Sequence, residues 1–148
     1  MEKRTEILKH FLGATGKQLL IEQPFCCDYG YNIRVGENFY ANMGCTILDE
    51  ALVTFGDNVL LAPNVSIYTA GHAVNVAQRV AGWEYAYPVT VGHNVWIGGN
   101  VVILPGVSIG DNSIIGGGSV VTKDIPANVI AVGNPCKVIR ELTEDELK

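Results

Sequence analysis

The sequence predicts an all-β protein, a parallel β-helix of six-residue repeats with one extended loop and short terminal helices. Three observations carry this. Aliphatic residues return every sixth position over most of the chain, glycine or asparagine recurs between them, and the rhythm breaks once, over TAGHAVNVAQRVAGWEYAYP. A period of six suits neither an amphipathic helix nor a simple hairpin. It suits short strands separated by tight corners and stacked coil on coil at about 4.8 Å.

In chain order, residues 1–16 are expected to form a capping helix segment. Ile7, Leu8, Phe11 and Leu12 recur there at helical spacing and Gly13 and Gly16 stop the run, and a helix over the end of a solenoid covers strand edges that would otherwise be bare. Residues 17–142 form the β-helix domain. The first hexad positions are 35, 41, 47, 55, 61, 67, 91, 97, 103, 109, 115 and 121, with a two-residue slip at Val53-Thr54. The fifth positions, such as Val95, Val101, Ser113 and Ser119, point inward with them, and Cys45 shares that position. Glycine and asparagine at the hexad boundaries supply the positive φ that a corner needs. Residues 143–148 form a C-terminal tail, where TEDE is a capping box opening a very short helix.

The break falls at residues 69–88. In frame, Ala73, Arg79 and Tyr85 would face the core, and an arginine has no place in a dry interior without a partner. The segment therefore leaves the coil as a loop, and long loops in compact domains usually carry function. It carries His72 beyond its own coil, toward a neighbouring subunit.

Composition excludes several classes. The 148 residues suffice for one domain, and the net charge of −5 opposes general nucleic-acid binding. No apolar run is long enough to span a membrane. The N-terminal MEKRTEILKHF has no signal core, so a cytoplasmic location is expected. Cys26, Cys27, Cys45 and Cys136 show no CxxC spacing and are expected as free thiols. His10 and His93 form no zinc-ligand spacing with His72, so no metal is expected.

With three hexads per coil, residues eighteen apart share a column. Trp96 stacks on Ile114 and Val102 on Val120, outward and apolar, the mark of a partner surface. Gly99 and Gly117 stack at a corner and leave a shallow channel, with Trp96 beside it and Lys123 near.

The run IYTAGHAVNVAQR, with FYANMGCTILDE before it and VGHNVWIGGNVVILPGVSIGDNSIIGGGSVVTKDIPANVIAVGNPCKVIRE after it, resembles the hexapeptide-repeat acetyltransferases of the maltose and galactoside O-acetyltransferase group. The resemblance covers residues 22–141. It implies a left-handed β-helix, and an acetyl-CoA-dependent O-acetyltransferase acting on a sugar hydroxyl. It places the general base at His72, whose imidazole can take a proton near neutral pH. It places acceptor contacts at Asp28, Asn42, Asp49 and Glu50. Coenzyme A contacts fall on Trp96, Gly99, Gly117, Thr122, Lys123, Lys137 and Arg140, the basic three meeting phosphate. It implies a homotrimer with active sites between subunits. Two departures stand out. Ala73 follows the histidine where relatives usually have proline, and the chain starts inside or after the longer helical segment of its relatives, as a truncated form or a short branch. The competing readings are a xenobiotic or amine acetyltransferase of the same fold, catalysis by a cysteine nucleophile, and a non-catalytic solenoid scaffold.

Overall fold

A computed structural model describes residues 2–148. The coils build a three-sided prism. One face has seven strands, Leu19–Ile21, Phe39–Ala41, Leu60–Leu61, Trp96–Ile97, Ile114–Ile115, Val129–Val132 and Lys137–Glu141. The second has five, Phe25–Cys27, Cys45–Leu48, Ser66–Tyr68, Val102–Ile103 and Val120–Val121. The third has four, Ile33–Arg34, Val53–Phe55, Val89–Val91 and Ser108–Ile109. Every pairing within the prism is parallel except the last, where Lys137–Glu141 returns antiparallel along Val129–Val132. Trp96 pairs with Ile114 and Val102 with Val120, so the eighteen-residue coil holds.

All twelve first hexad positions are buried, and so are Val95, Val101, Val107, Ser113 and Ser119 at the fifth. Each buried valine or isoleucine contributes about 1.5–3 kcal/mol through removal from water. Ser113 and Ser119 face inward because the chain after the last full coil gives them partners. Ser113 donates to the Pro126 carbonyl at 2.7 Å, and Ser119 accepts from the Gly133 N–H at 3.0 Å.

Two expectations are corrected, and the frame is extended by one coil. The repeat starts one coil earlier than Val35, since Leu19 pairs with Phe39 and Phe25 with Cys45. Both early coils run twenty residues rather than eighteen; the slip at Val53-Thr54 marks the second, and the first, before Val35, is hidden from a strict six-residue frame. The two extra residues lie in the corners 28–32 and 49–52, between the five- and four-stranded faces. Positive φ belongs to the fourth hexad position, for example Asn94 at 58° and Asn112 at 61°, rather than to the second-position glycines. Those glycines permit close stacking instead: a Cβ on Gly98 would lie 2.6 Å from the Gly117 nitrogen of the next coil. Finally, residues 143–148 form a turn and no helix. The capping box does close, Glu146 Oε2 accepting the Thr143 N–H at 2.8 Å and Thr143 Oγ1 accepting the Glu146 N–H at 3.3 Å.

The capping helix, Glu2–Phe11, packs with Leu8 and Leu12 and leaves Ile7 and much of Phe11 exposed. Along the edge between the four- and seven-stranded faces runs an asparagine ladder. Asn38 donates to Asn58, Asn58 to Asn94, Asn94 to Asn112 and Asn112 to Asn128, at 2.7–3.0 Å. The same side chain tolerates the left-handed backbone and binds its neighbours, which explains asparagine over glycine here. Asn94→Ala is expected to cost about 2 kcal/mol, half through two lost hydrogen bonds and half through backbone strain. Asn94→Gly should recover the backbone half. Denaturation midpoints of the two variants check this, and equal losses would leave the strain contribution without support.

Candidate active site

The interrupting segment is an arm with its own structure. Ala70–His72 and Glu84–Ala86 pair as an antiparallel hairpin, and Val76–Val80 makes a short helix at the tip, capped where Asn75 Oδ1 accepts the Gln78 N–H. Phe55 pairs with Val91 across it, 36 positions on, so the arm inserts one whole extra coil length. Ala73, Arg79 and Tyr85 all lie outside the core. The arm is rooted by Thr69, which is fully buried and donates to the Leu48 carbonyl at 2.8 Å. Arg79 Nη1 donates to the carbonyls of Ala73 and Val74, both at 2.9 Å, fixing the backbone directly after His72. The His72 ring is exposed, with Nδ1 3.5 Å from Glu84 Oε1.

At the foot of the arm lies a cluster of carboxyls. Asp28 and Glu50 are exposed and approach within hydrogen-bonding reach of each other. Partial burial first, then the Glu50 charge and hydrogen bond, then Asp49, push the Asp28 carboxyl above its ordinary range. Glu50 also meets the Thr69 hydroxyl at 3.4 Å. Asp49 is placed differently. It is fully buried, and its oxygens accept the N–H groups of Asp28, Tyr29 and Asn32 at 3.1, 2.9 and 3.3 Å. Its carboxylate is consumed in bracing the corner, so the expectation of an Asp49 oxygen open to an acceptor is corrected. Beside it, burial foremost, then Asp49, Asp28 and Cys26, push the Cys27 thiol up to about 11. A thiol so reluctant to ionise is a poor nucleophile. Burial also raises Cys45 and Cys136, and all four cysteines are free.

The remaining candidates fall into two groups. Thr122 and Lys123 are exposed on the same edge as the arm, since Ile103 pairs with Val121 and Ile67 with Ile103. Asn42, Gly99 and Gly117 lie on the opposite edge of the five-stranded face, with Gly99 and Gly117 stacked and the Gly118 N–H donating to the Gly99 carbonyl at 2.8 Å. Trp96, Lys137 and Arg140 sit on the seven-stranded face that leads into that edge, Trp96 51% exposed. A cavity of about 590 Å³ opens on the other side of that face, toward the asparagine ladder, lined by Asn94, Asn112, Trp96, Ile114, Leu142 and Glu146. The intervening five-stranded face is on the order of 15–20 Å wide at 3.3 Å per residue. One chain therefore brings His72, Asp28, Glu50, Thr122 and Lys123 to one edge, and Asn42, Trp96, Gly99 and Gly117 to another.

Two partners escaped the sequence reading. Glu84 faces His72 through a hairpin register that no hexad period encodes. Glu146 grips Arg140 at 2.7 Å through both oxygens. That pairing, reinforced by the Thr143 N–H, draws the Glu146 carboxyl down to about 2. The TEDE capping box was a signal for the turn, but not for where its glutamate would point. His93 is a corner residue, its Nδ1 accepting the Asp57 N–H at 2.9 Å. Among the described residues no group of three or more His, Cys, Asp or Glu could hold a metal ion, and no helix is long and apolar enough to cross a membrane.

The galactoside O-acetyltransferase of Escherichia coli is 53% identical over 144 residues, covering 97% of this chain and 71% of that one. The chain belongs to the hexapeptide-repeat acetyltransferases. The bacterial transferase hexapeptide (six repeats) family matches residues 88–123, the most regular stretch of the repeat. A galactoside acetyltransferase in complex with coenzyme A is similar in structure, with a TM-score of 0.96 at 52% identity, covering 99% of this chain and 73% of that one. A maltose O-acetyltransferase from Clostridium difficile 630 has a TM-score of 0.95 at 59% identity, covering 97% and 76%. Membership in this acetyltransferase family makes the chain an acyltransferase by descent and fold together.

Proposed function

We propose that this acetyltransferase moves the acetyl group of acetyl-CoA to a hydroxyl of a sugar, by direct attack with His72 as general base. The observation that carries the reading is His72 held out of the coil on a braced arm, above the exposed Asp28–Glu50 carboxyl pair. A sugar hydroxyl is a weak nucleophile until its proton is taken as the bond forms, and an imidazole suits that task at neutral pH. The carboxyls suit hydrogen bonding to neighbouring hydroxyls and Asn42 suits the same role. Coenzyme A fits the other half of the constellation. Its pantetheine arm can pass the Gly99–Gly117 stack beside Trp96, where backbone N–H groups meet the thioester oxygen. Lys123, Lys137 and Arg140 meet phosphate, with Thr122 adding a hydroxyl. For Arg140 that requires displacing Glu146, a carboxylate already seated on the guanidinium. The relatives of galactoside and maltose specificity, one of them holding coenzyme A, support the same reading.

The site needs two chains in this reading. The arm edge and the glycine edge lie on opposite sides of one face, too far apart to meet on one acetyl group. A ring of three prisms sets the arm edge of one against the glycine edge of the next, and the exposed Val74, Val80, Trp83 and Tyr87 of the arm then gain cover. The test is subunit exchange. Inactive His72→Ala chains mixed one to one with inactive Gly117→Trp chains should regain about a quarter of wild-type activity, because one interface in four joins an intact arm to an intact groove. A panel of sugar and amine acceptors, followed by release of free thiol, names the acceptor class in the same assay. No recovery after demonstrated exchange would overturn the shared site. No thiol release with any acceptor would overturn the enzymatic reading in favour of a scaffold.

A further inference from the structure

We infer that Glu84 is a positioning residue for the reaction, fixing the ring and the tautomer of His72. The inference rests on the reading of His72 as the base and adds to it what makes that base point correctly. The hairpin register sets Glu84 directly opposite His72, and Glu84 Oε1 lies 3.5 Å from Nδ1. A carboxylate can only accept, so a proton between them belongs on Nδ1. That leaves Nε2, the nitrogen across the ring from the one facing Glu84, with a free lone pair to receive a hydroxyl proton. Without the carboxylate nothing on the hairpin selects this tautomer.

The register is itself protected. Gly71, beside His72, is covered by the Tyr85 ring, whose hydroxyl would lie 2.5 Å from any Cβ placed there. A side chain at position 71 would displace the Tyr85 ring that covers the hairpin beside His72. On the other side of His72, the two Arg79 hydrogen bonds hold the backbone of Ala73 and Val74. Ring, register and backbone are thus each fixed by a different residue of the arm. The distance of 3.5 Å is long for a hydrogen bond, as such contacts are before substrate closes a site. Glu84 otherwise has no reason to be charged that the fold supplies. It is exposed, lies outside the prism, and its ion pair is with His72.

The test uses the full chain. Imidazole ¹⁵N shifts of His72 in the wild type should report the proton on Nδ1, and Glu84→Ala should move it toward Nε2. The same variant should lower kcat about 10- to 100-fold, with KM for acetyl-CoA and acceptor changed less than about twofold. Glu84→Gln, which retains an accepting oxygen, should restore the tautomer and recover part of kcat. A wild-type His72 protonated on Nε2, or a Glu84→Ala enzyme with unaltered kcat, would overturn the inference. If His72→Ala itself keeps full activity, the base assignment fails instead. Loss of activity in His72→Ala alongside normal Glu84→Ala turnover would remove Glu84 and leave the base in place.

Discussion

His72→Ala is expected to lower kcat by about 10²–10⁴-fold, the usual contribution of a positioned proton acceptor, while coenzyme A binding stays within about twofold. The split follows from the placement of the two halves. His72 is exposed on an arm outside the prism, so its loss removes no core contact and strains no coil. The cofactor residues proposed here sit on other elements, chiefly the glycine edge and the seven-stranded face, and do not depend on the imidazole. Steady-state rates with saturating acetyl-CoA, alongside calorimetric binding of coenzyme A, check both quantities. Near wild-type turnover with a good acceptor would remove the general base. A matching loss of coenzyme A affinity would mean that His72 holds the cofactor rather than the proton.

Much of this molecule was legible because one period governs it. When a residue every sixth position must face a narrow core, its side chain is aliphatic or small, and the columns Trp96–Ile114 and Val102–Val120 follow by counting. The arm was legible for the converse reason: Arg79 cannot occupy a core position, so the frame had to open there. The first coil was not legible, because its corner at residues 28–32 carries two more residues than the frame allows, and Leu19 and Phe25, before that corner, fall out of phase with the frame that starts at Val35. That insertion and its counterpart at residues 49–52 together create the carboxyl corner, so the parts of the repeat that depart from its period are the parts that gather Asp28, Asp49 and Glu50. Glu84 and Glu146 stayed hidden for a different reason. Their partners are set by a hairpin register and by a terminal turn, each a local geometry independent of the repeat.

Asp49→Ala is expected to cost about 2–4 kcal/mol of stability and to raise the KM for acceptor together with it. The buried carboxylate accepts three backbone N–H groups, from Asp28, Tyr29 and Asn32. Alanine leaves all three without their partner. Asp28 and Tyr29 lie at the surface and can turn to water, which keeps the cost at the lower end of what three buried donors would give. The Asn32 side chain also donates to the Asp49 carbonyl at 2.8 Å, a bond that alanine retains, so the corner loosens rather than unravels. Loosening moves Asp28 away from Glu50, and the carboxyl pair proposed to meet the acceptor loses its spacing. Asp49→Asn is the discriminating variant. It retains one accepting oxygen, so it should cost about half as much stability and leave acceptor KM nearly unchanged. A residue that touched the acceptor itself would behave in the opposite way, with stability intact and KM raised in both variants. Denaturation curves set beside acceptor KM for the two substitutions decide between a brace and a contact, and a stable Asp49→Ala enzyme with poor acceptor affinity would return Asp49 to the binding surface.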